Sequence, residues 1–136
     1  MMKTTIVKQL IFSAGHRIYN AEYSDEKNRE IFGACSNPNG HGHNYTLEVH
    51  FSGPIDGETG MVLNLKEIKK VVEEEIISKL DHKNLNLDVD FMAGVIPTTE
   101  NLAQKLFEVL DSRFSGGLLS KVVLWETPSN RVEIDR

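Results

Sequence analysis

A single cysteine is the scarcest reactive group in this chain of 136 residues, and one thiol cannot close an intrachain disulfide. A reducing cytoplasm is the compartment that fits. Long apolar runs are missing as well, and none approaches the roughly 20 residues that span a bilayer. The opening stretch, MMKTTIVKQLIF, alternates too often to form a signal-peptide core. Nor is there a basic surplus. Fifteen Lys and Arg against 20 Asp and Glu leave a formal charge of −5, which speaks against a general nucleic-acid binder. A small anion held in a local basic pocket stays open. Repeats, linkers and low-complexity tracts are absent, so residues 1–136 are expected to form one domain. With 40% hydrophobic and 26% charged residues, the composition is that of an ordinary globular protein.

Patterning along the chain suggests an α+β fold. Thr5 to Phe12 is rich in β-branched and apolar residues and reads as a strand. In the irregular stretch that follows, SDEKNREIFG suits a short helix, with Ser24 as N-cap, acids in the first turn and Gly33 as the stop. Tyr45, Leu47, Val49 and Phe51 alternate with polar residues as in a half-buried strand. After a Gly-Pro and Asp-Gly turn region, Met61 to Leu63 reads as a short strand. Asn64 can cap a helix to about Leu80, with Ile68, Val71, Val72 and Ile76 at helical spacing. Asp81 to Ala93 reads as a loop. Pro97, Thr98 and Thr99 open a second long helix carrying Leu102, Leu106, Val109 and Leu110 on one face. Val122 to Glu126 and Arg131 to Ile134 are expected as the last two strands. The order ββ, αα, ββ predicts an antiparallel sheet with both helices on one face. Such a sheet leaves two edges and one open face, which predicts a homo-oligomer.

Against this background, Cys35 to Tyr45 (CSNPNGHGHNY) stands out. His41 and His43 are two apart, so on a strand they share a face. If the first two strands pair antiparallel, the end of one meets the start of the other, and His16 falls beside both. Three imidazoles with an open fourth position make a catalytic zinc pattern, and imidazole also accepts copper, nickel or iron. Cys35 reads either as a small buried hydrophobe or as a group beside the metal. His82 reads either as a partner of a helix C-terminus or as a proton-transfer group oriented by Asp81. His50, in mid-strand, reads as structural.

These motifs together resemble the 6-pyruvoyl-tetrahydropterin synthase family: FSAGHR, CSNPNGHGHNY, LDHKNLNLDV, PTTEN and VVLWET, in that order. The likeness runs from about Val7 to Ile134. It implies the tunnelling fold (T-fold), a ββααββ unit whose trimers close a twelve-stranded barrel and stack into a hexamer. It also implies Zn²⁺ held by His16, His41 and His43, with Cys35 as catalytic base. Asp81 and His82 become a proton relay contributed across a subunit interface. Glu126 becomes the anchor of the pterin ring, with Thr98, Thr99 and Glu100 lining its pocket. The substrate implied is 7,8-dihydroneopterin triphosphate, a small molecule; neither nucleic acid nor membrane is an expected partner. One departure is Gly15, where the family often has serine before the histidine.

A sister activity shares this fold and metal. 6-Carboxy-tetrahydropterin synthase, of queuosine biosynthesis, releases acetaldehyde and triphosphate from the same substrate. That family commonly has three residues between the cysteine and the first histidine of the pair. This chain has Ser36 to Gly40 there, with the Asn-Pro-Asn-Gly run of the pyruvoyl enzymes, which favours the pyruvoyl product. A zinc-dependent oligomer that binds a pterin without catalysis is the remaining alternative; Cys35, Asp81 and His82 beside the histidines argue against it.

Overall fold

The computed structural model describes residues 2–136. Its elements run β1 (Thr4–His16), α1 (Asp25–Phe32), a 3₁₀ turn (Gly33–Ser36), β2 (His41–Gly53), α2 (Leu65–Val72), a π turn (Glu73–Ile77), α3 (Ser78–Leu80), β3 (Lys83–Asn84), a second 3₁₀ turn (Asp90–Met92), α4 (Thr99–Asp111), β4 (Leu119–Thr127) and β5 (Asn130–Asp135). The five strands form one sheet in the order β3-β1-β2-β4-β5. All neighbours are antiparallel except the two-residue β3, which lies parallel to β1.

Both long strands extend beyond the apolar runs expected from the sequence, and the extension builds the site. β1 and β2 pair over 13 residues each, from Thr4 opposite Gly53 to His16 opposite His41. Phe12 stacks on Tyr45 with ring centroids 5.0 Å apart. With Leu47, Val49, Phe51, Val122 and Leu124 they form the sheet side of the core. Ile68, Val72, Ile76 and Leu80 pack there from the α2–α3 rod, and Leu102, Ala103, Leu106 and Leu110 from α4. The two long helical segments therefore cover one face of the sheet, as the α+β reading expects.

Helix ends follow their sequence signals. Ser24 accepts from Lys27 N and caps α1, which stops at Gly33. Asn64 accepts from Lys66 N to cap α2, and Thr98 accepts from Asn101 N to cap α4. Each satisfies an amide that the first turn leaves free.

The expected strand at Met61–Leu63 does not form. Asp56 takes over its backbone, donating its N–H to the Met61 carbonyl while its own carbonyl accepts from Gly60. Its side chain caps Glu58 and Thr59. With its carbonyl closed into a local loop, Met61 offers no ladder to a neighbour. The Asp81–Ala93 loop is also more ordered than expected, because Ser13 and Gly15 on the edge of β1 accept from His82 and Leu85.

The other sheet face is uncovered, and Val7 and Ile11 stand exposed on it. β3 pairs with β1 only at Ala14 and Gly15, so most of the outer edge of β1 is unpaired, as is that of β5.

Candidate metal centre and adjoining pocket

The antiparallel register delivers the three histidines to one place. His16 ends β1 and faces His41, the first residue of β2, while His43 follows one pleat later on the same side. Their ring centroids lie 4.6–5.1 Å apart. One nitrogen from each ring falls within 4.8 Å of the others, and Cys35 is not part of the cluster.

Geometry and protonation suit a metal. His16 is buried, and its Nδ1 lies 2.8 Å from the Pro97 carbonyl. A carbonyl only accepts, so Nδ1 carries the hydrogen and Nε2 keeps its lone pair. That Nε2 is 3.1 Å from His41 Nε2, near the roughly 3.3 Å expected for two nitrogens at ~2.05 Å from one tetrahedral Zn²⁺. His43 Nε2 is buried with no hydrogen-bond partner, a costly state unless a metal uses the lone pair. Burial is the main reason that His16 and His41 titrate below the ordinary histidine range, with the neighbouring imidazoles adding repulsion. Both effects keep the rings neutral, the form that binds metal. Tyr45 lies beneath, its hydroxyl 3.4 Å from His16 Nδ1, and burial pushes its phenol upward, so it stays neutral.

The turn before β2 admits only glycine at one position. Gly40 has φ +71°, and a Cβ there would sit 2.8 Å from the His16 carbonyl oxygen. Gly40→Ala is therefore expected to lose about 1–2 kcal/mol from the left-handed backbone alone. Moving the His16 backbone would also disturb the three-histidine cluster and weaken metal binding there. Denaturant unfolding and a zinc titration of the variant check both.

A pocket of about 270 Å³ adjoins the histidines. Ile18, Thr98, Thr99, Glu100, Glu126 and Arg131 are among its walls. Thr99 donates its hydroxyl to Glu126 Oε2 at 2.7 Å, and Glu126 Oε1 is 3.9 Å from His43 Nε2. The carboxylate thus stands between the histidine cluster and the pocket. Arg131 lies over the Trp125 ring at 5.0 Å, a wall residue the motifs do not single out.

The remaining residues lie farther out. Cys35 is exposed rather than the buried hydrophobe its composition suggests, because it sits in the tight 3₁₀ turn after α1. Its carbonyl accepts from Ile18 N at 2.8 Å, which ties the turn to the pocket wall. Asp81 and His82 lie beyond the β1 edge. Asp81 accepts from Ser13 N at 2.9 Å, the leading reason its carboxyl titrates below the usual range, and it lies 3.1 Å from His82 Nδ1. The His82 side chain is 82% exposed, and its backbone adopts φ +61°, a conformation costly for a residue with a Cβ. A second cleft, of about 530 Å³, runs from His43 and Asn44 across Ser13 to His82 and Lys83.

The 6-pyruvoyl tetrahydropterin synthase family model matches residues 5–136. The chain belongs to this family. It is 50% identical to a 6-pyruvoyl tetrahydrobiopterin synthase of Pongo abelii over 93% of this chain and 88% of that one. The structure of Caenorhabditis elegans 6-pyruvoyl tetrahydropterin synthase superposes with a TM-score of 0.94 at 39% identity, covering 100% of this chain and 97% of the other. A putative 6-carboxy-5,6,7,8-tetrahydropterin synthase of Archaeoglobus fulgidus is 39% identical over 52% of this chain and 55% of its own length.

Proposed function

We propose that this protein is a zinc-dependent 6-pyruvoyl-tetrahydropterin synthase. It converts 7,8-dihydroneopterin triphosphate to 6-pyruvoyl-tetrahydropterin and eliminates triphosphate, a lyase reaction of tetrahydrobiopterin-type synthesis. The observation that carries this reading is the carboxylate of Glu126, held by Thr99 in a pocket whose wall reaches the three-histidine cluster. The likeness to the pyruvoyl enzymes over nearly the whole chain supports it.

Each residue has a definable task. Glu126 offers two acceptor oxygens to the paired N–H groups of an aminopyrimidine edge, and the Thr99 hydroxyl fixes its plane. Thr98 and Glu100 complete the pocket rim at the start of α4. His16, His41 and His43 hold zinc, which when bound makes the C–H and O–H protons of the substrate side chain easier to remove. Cys35 takes a proton from that side chain as catalytic base. Asp81 engages His82 Nδ1 and leaves Nε2 to deliver a proton from the other side. No external hydride donor is needed, because the ring is reduced at the expense of the side chain.

The relay is assigned to a neighbouring subunit of a hexamer built from two trimers. The exposure of His82 and the free edges of β1 and β5 support this. Cys35→Ala and His82→Ala chains, each inactive, are then expected to regain turnover when refolded together, because mixed oligomers contain some sites with both groups intact. No recovery in mixed oligomers would place the groups in one chain. The proposed setting is the cytoplasm; among the described residues no helix is long and apolar enough to cross a membrane.

Incubation with 7,8-dihydroneopterin triphosphate and identification of the pterin product tests the function. A 6-carboxy product with acetaldehyde would overturn it in favour of the sister activity. Zinc-loaded protein that binds substrate but releases no triphosphate would make it a binding protein only.

A further inference from the structure

One short segment, Ile96 to Asn101, touches both the metal cluster and the pocket. Pro97 supplies the carbonyl that accepts from His16 Nδ1 at 2.8 Å. Two residues later, Thr99 donates to Glu126 Oε2 at 2.7 Å. Between them the backbone makes a tight reversal, with Thr98 N donating to the Ile96 carbonyl at 2.8 Å. This is the three-residue γ pattern centred on Pro97, whose ring already restricts φ.

A γ-turn is closed by a single hydrogen bond, and a second bond to the same carbonyl supports it. Asn101 provides it: its side-chain Nδ2 donates to the same Ile96 carbonyl at 2.9 Å, while its backbone N–H bonds the Thr98 hydroxyl at 3.2 Å. Without the side-chain bond, Pro97 can relax toward the extended polyproline conformation. Its ψ then changes by roughly 80°, swinging the carbonyl away from His16. The same relaxation would shift the start of α4 and with it Thr99.

We propose that Asn101 is a positioning residue that clamps the Pro97 turn, and so holds the zinc ligand His16 and the pterin anchor Glu126 in one frame. It acts through Pro97 and Thr99. The inference rests on the zinc and pterin assignments proposed above, but zinc affinity of the substrate-free protein reads it without turnover.

The test compares Asn101→Asp, Thr99→Val and Ser24→Ala with the full wild-type chain. Asp keeps the size of Asn and suits the first helical turn, but its carboxylate cannot donate to the Ile96 carbonyl. Zinc affinity is measured by chelator competition, and KM and kcat at saturating zinc. Asn101→Asp is expected to weaken zinc about tenfold, the low end for loss of groups that orient a ligand, and to raise KM. Thr99→Val is expected to raise KM with wild-type zinc affinity. Ser24→Ala, which removes the α1 cap away from the site, should lower stability and change neither. Wild-type zinc affinity in Asn101→Asp would overturn the proposal. So would equal zinc loss in Ser24→Ala, which would make the effect one of general stability, or in Thr99→Val, which would route it through the carboxylate. Wild-type protein that binds no zinc would overturn the metal assignment and this inference together. Zinc behaviour as expected in a wild-type chain with no turnover would sustain the clamp and overturn the functional reading instead.

Discussion

Cys35→Ala is expected to lower kcat by about 10²–10⁴-fold, the range for loss of a positioned general base, while zinc stays at the wild-type content. The two halves of this result come from separate features. The thiol is exposed and outside the cluster of three ring nitrogens, so its loss opens no core cavity and removes no ligand. Stability should change by no more than about 0.5 kcal/mol. The loss in rate corresponds to about 3–5 kcal/mol of barrier, far more than a surface substitution costs in folding. Turnover, metal analysis and thermal unfolding on one preparation separate the effects. Zinc lost together with activity would make Cys35 a ligand and leave the reaction without its assigned base.

His43→Leu is expected to reduce turnover to that of metal-stripped wild type, and to do so with an unusual stability signature. No protein group hydrogen-bonds the buried His43 Nε2, so a chain stripped of metal should carry a deficit of about 1–3 kcal/mol there. Leucine removes that nitrogen, so the metal-free variant should melt at or above the metal-free wild type. Added zinc reverses the order. A ligand at a thousand times its dissociation constant stabilises the native state by about 4 kcal/mol, and the variant, with two imidazoles remaining, should gain little of this. Thermal unfolding with and without zinc checks both arms. A variant that is stabilised by zinc as strongly as wild type would remove His43 from the ligand set.

The three-histidine cluster is legible because it needs only strand periodicity and one antiparallel pairing. His41 and His43 share a face by alternation, and the turn-back from β1 brings His16 opposite His41. Glu126 is legible only through resemblance, since one carboxylate on a strand carries no signal of its own. The Pro97 carbonyl is invisible to any reading of side-chain types, because every residue has one. Asn101 looks like an ordinary first-turn residue until its reach to Ile96 is seen. Met61–Leu63 misleads because its composition suits a strand, whereas the Asp56 turn has already engaged its backbone. Cys35 misleads for a related reason. Averages over cysteines favour burial, but the 3₁₀ turn at Gly33–Ser36 holds this one at the surface.

The π turn at Glu73–Ile77 acts as a phase corrector for the chain that follows. Ile68, Val72, Ile76 and Leu80, all fully buried, recur every four residues. In an unbroken α-helix each four-residue step overshoots a full turn by about 40°, so a stripe with this spacing would wind off the sheet within three steps. The wider turn takes up the excess and keeps Leu80 pointing at the core. It also fixes the azimuth at which the chain departs, and Asp81 and His82 are the next two residues. Were Glu73–Ile77 to wind as ordinary α-helix with the same number of residues, that excess would return. The exit would then rotate by about 120°, three steps of about 40°, carrying Asp81 away from the Ser13 amide from which it now accepts. A change of helical winding, remote from the three histidines, would thereby mis-aim the proposed relay while leaving the histidines where they are.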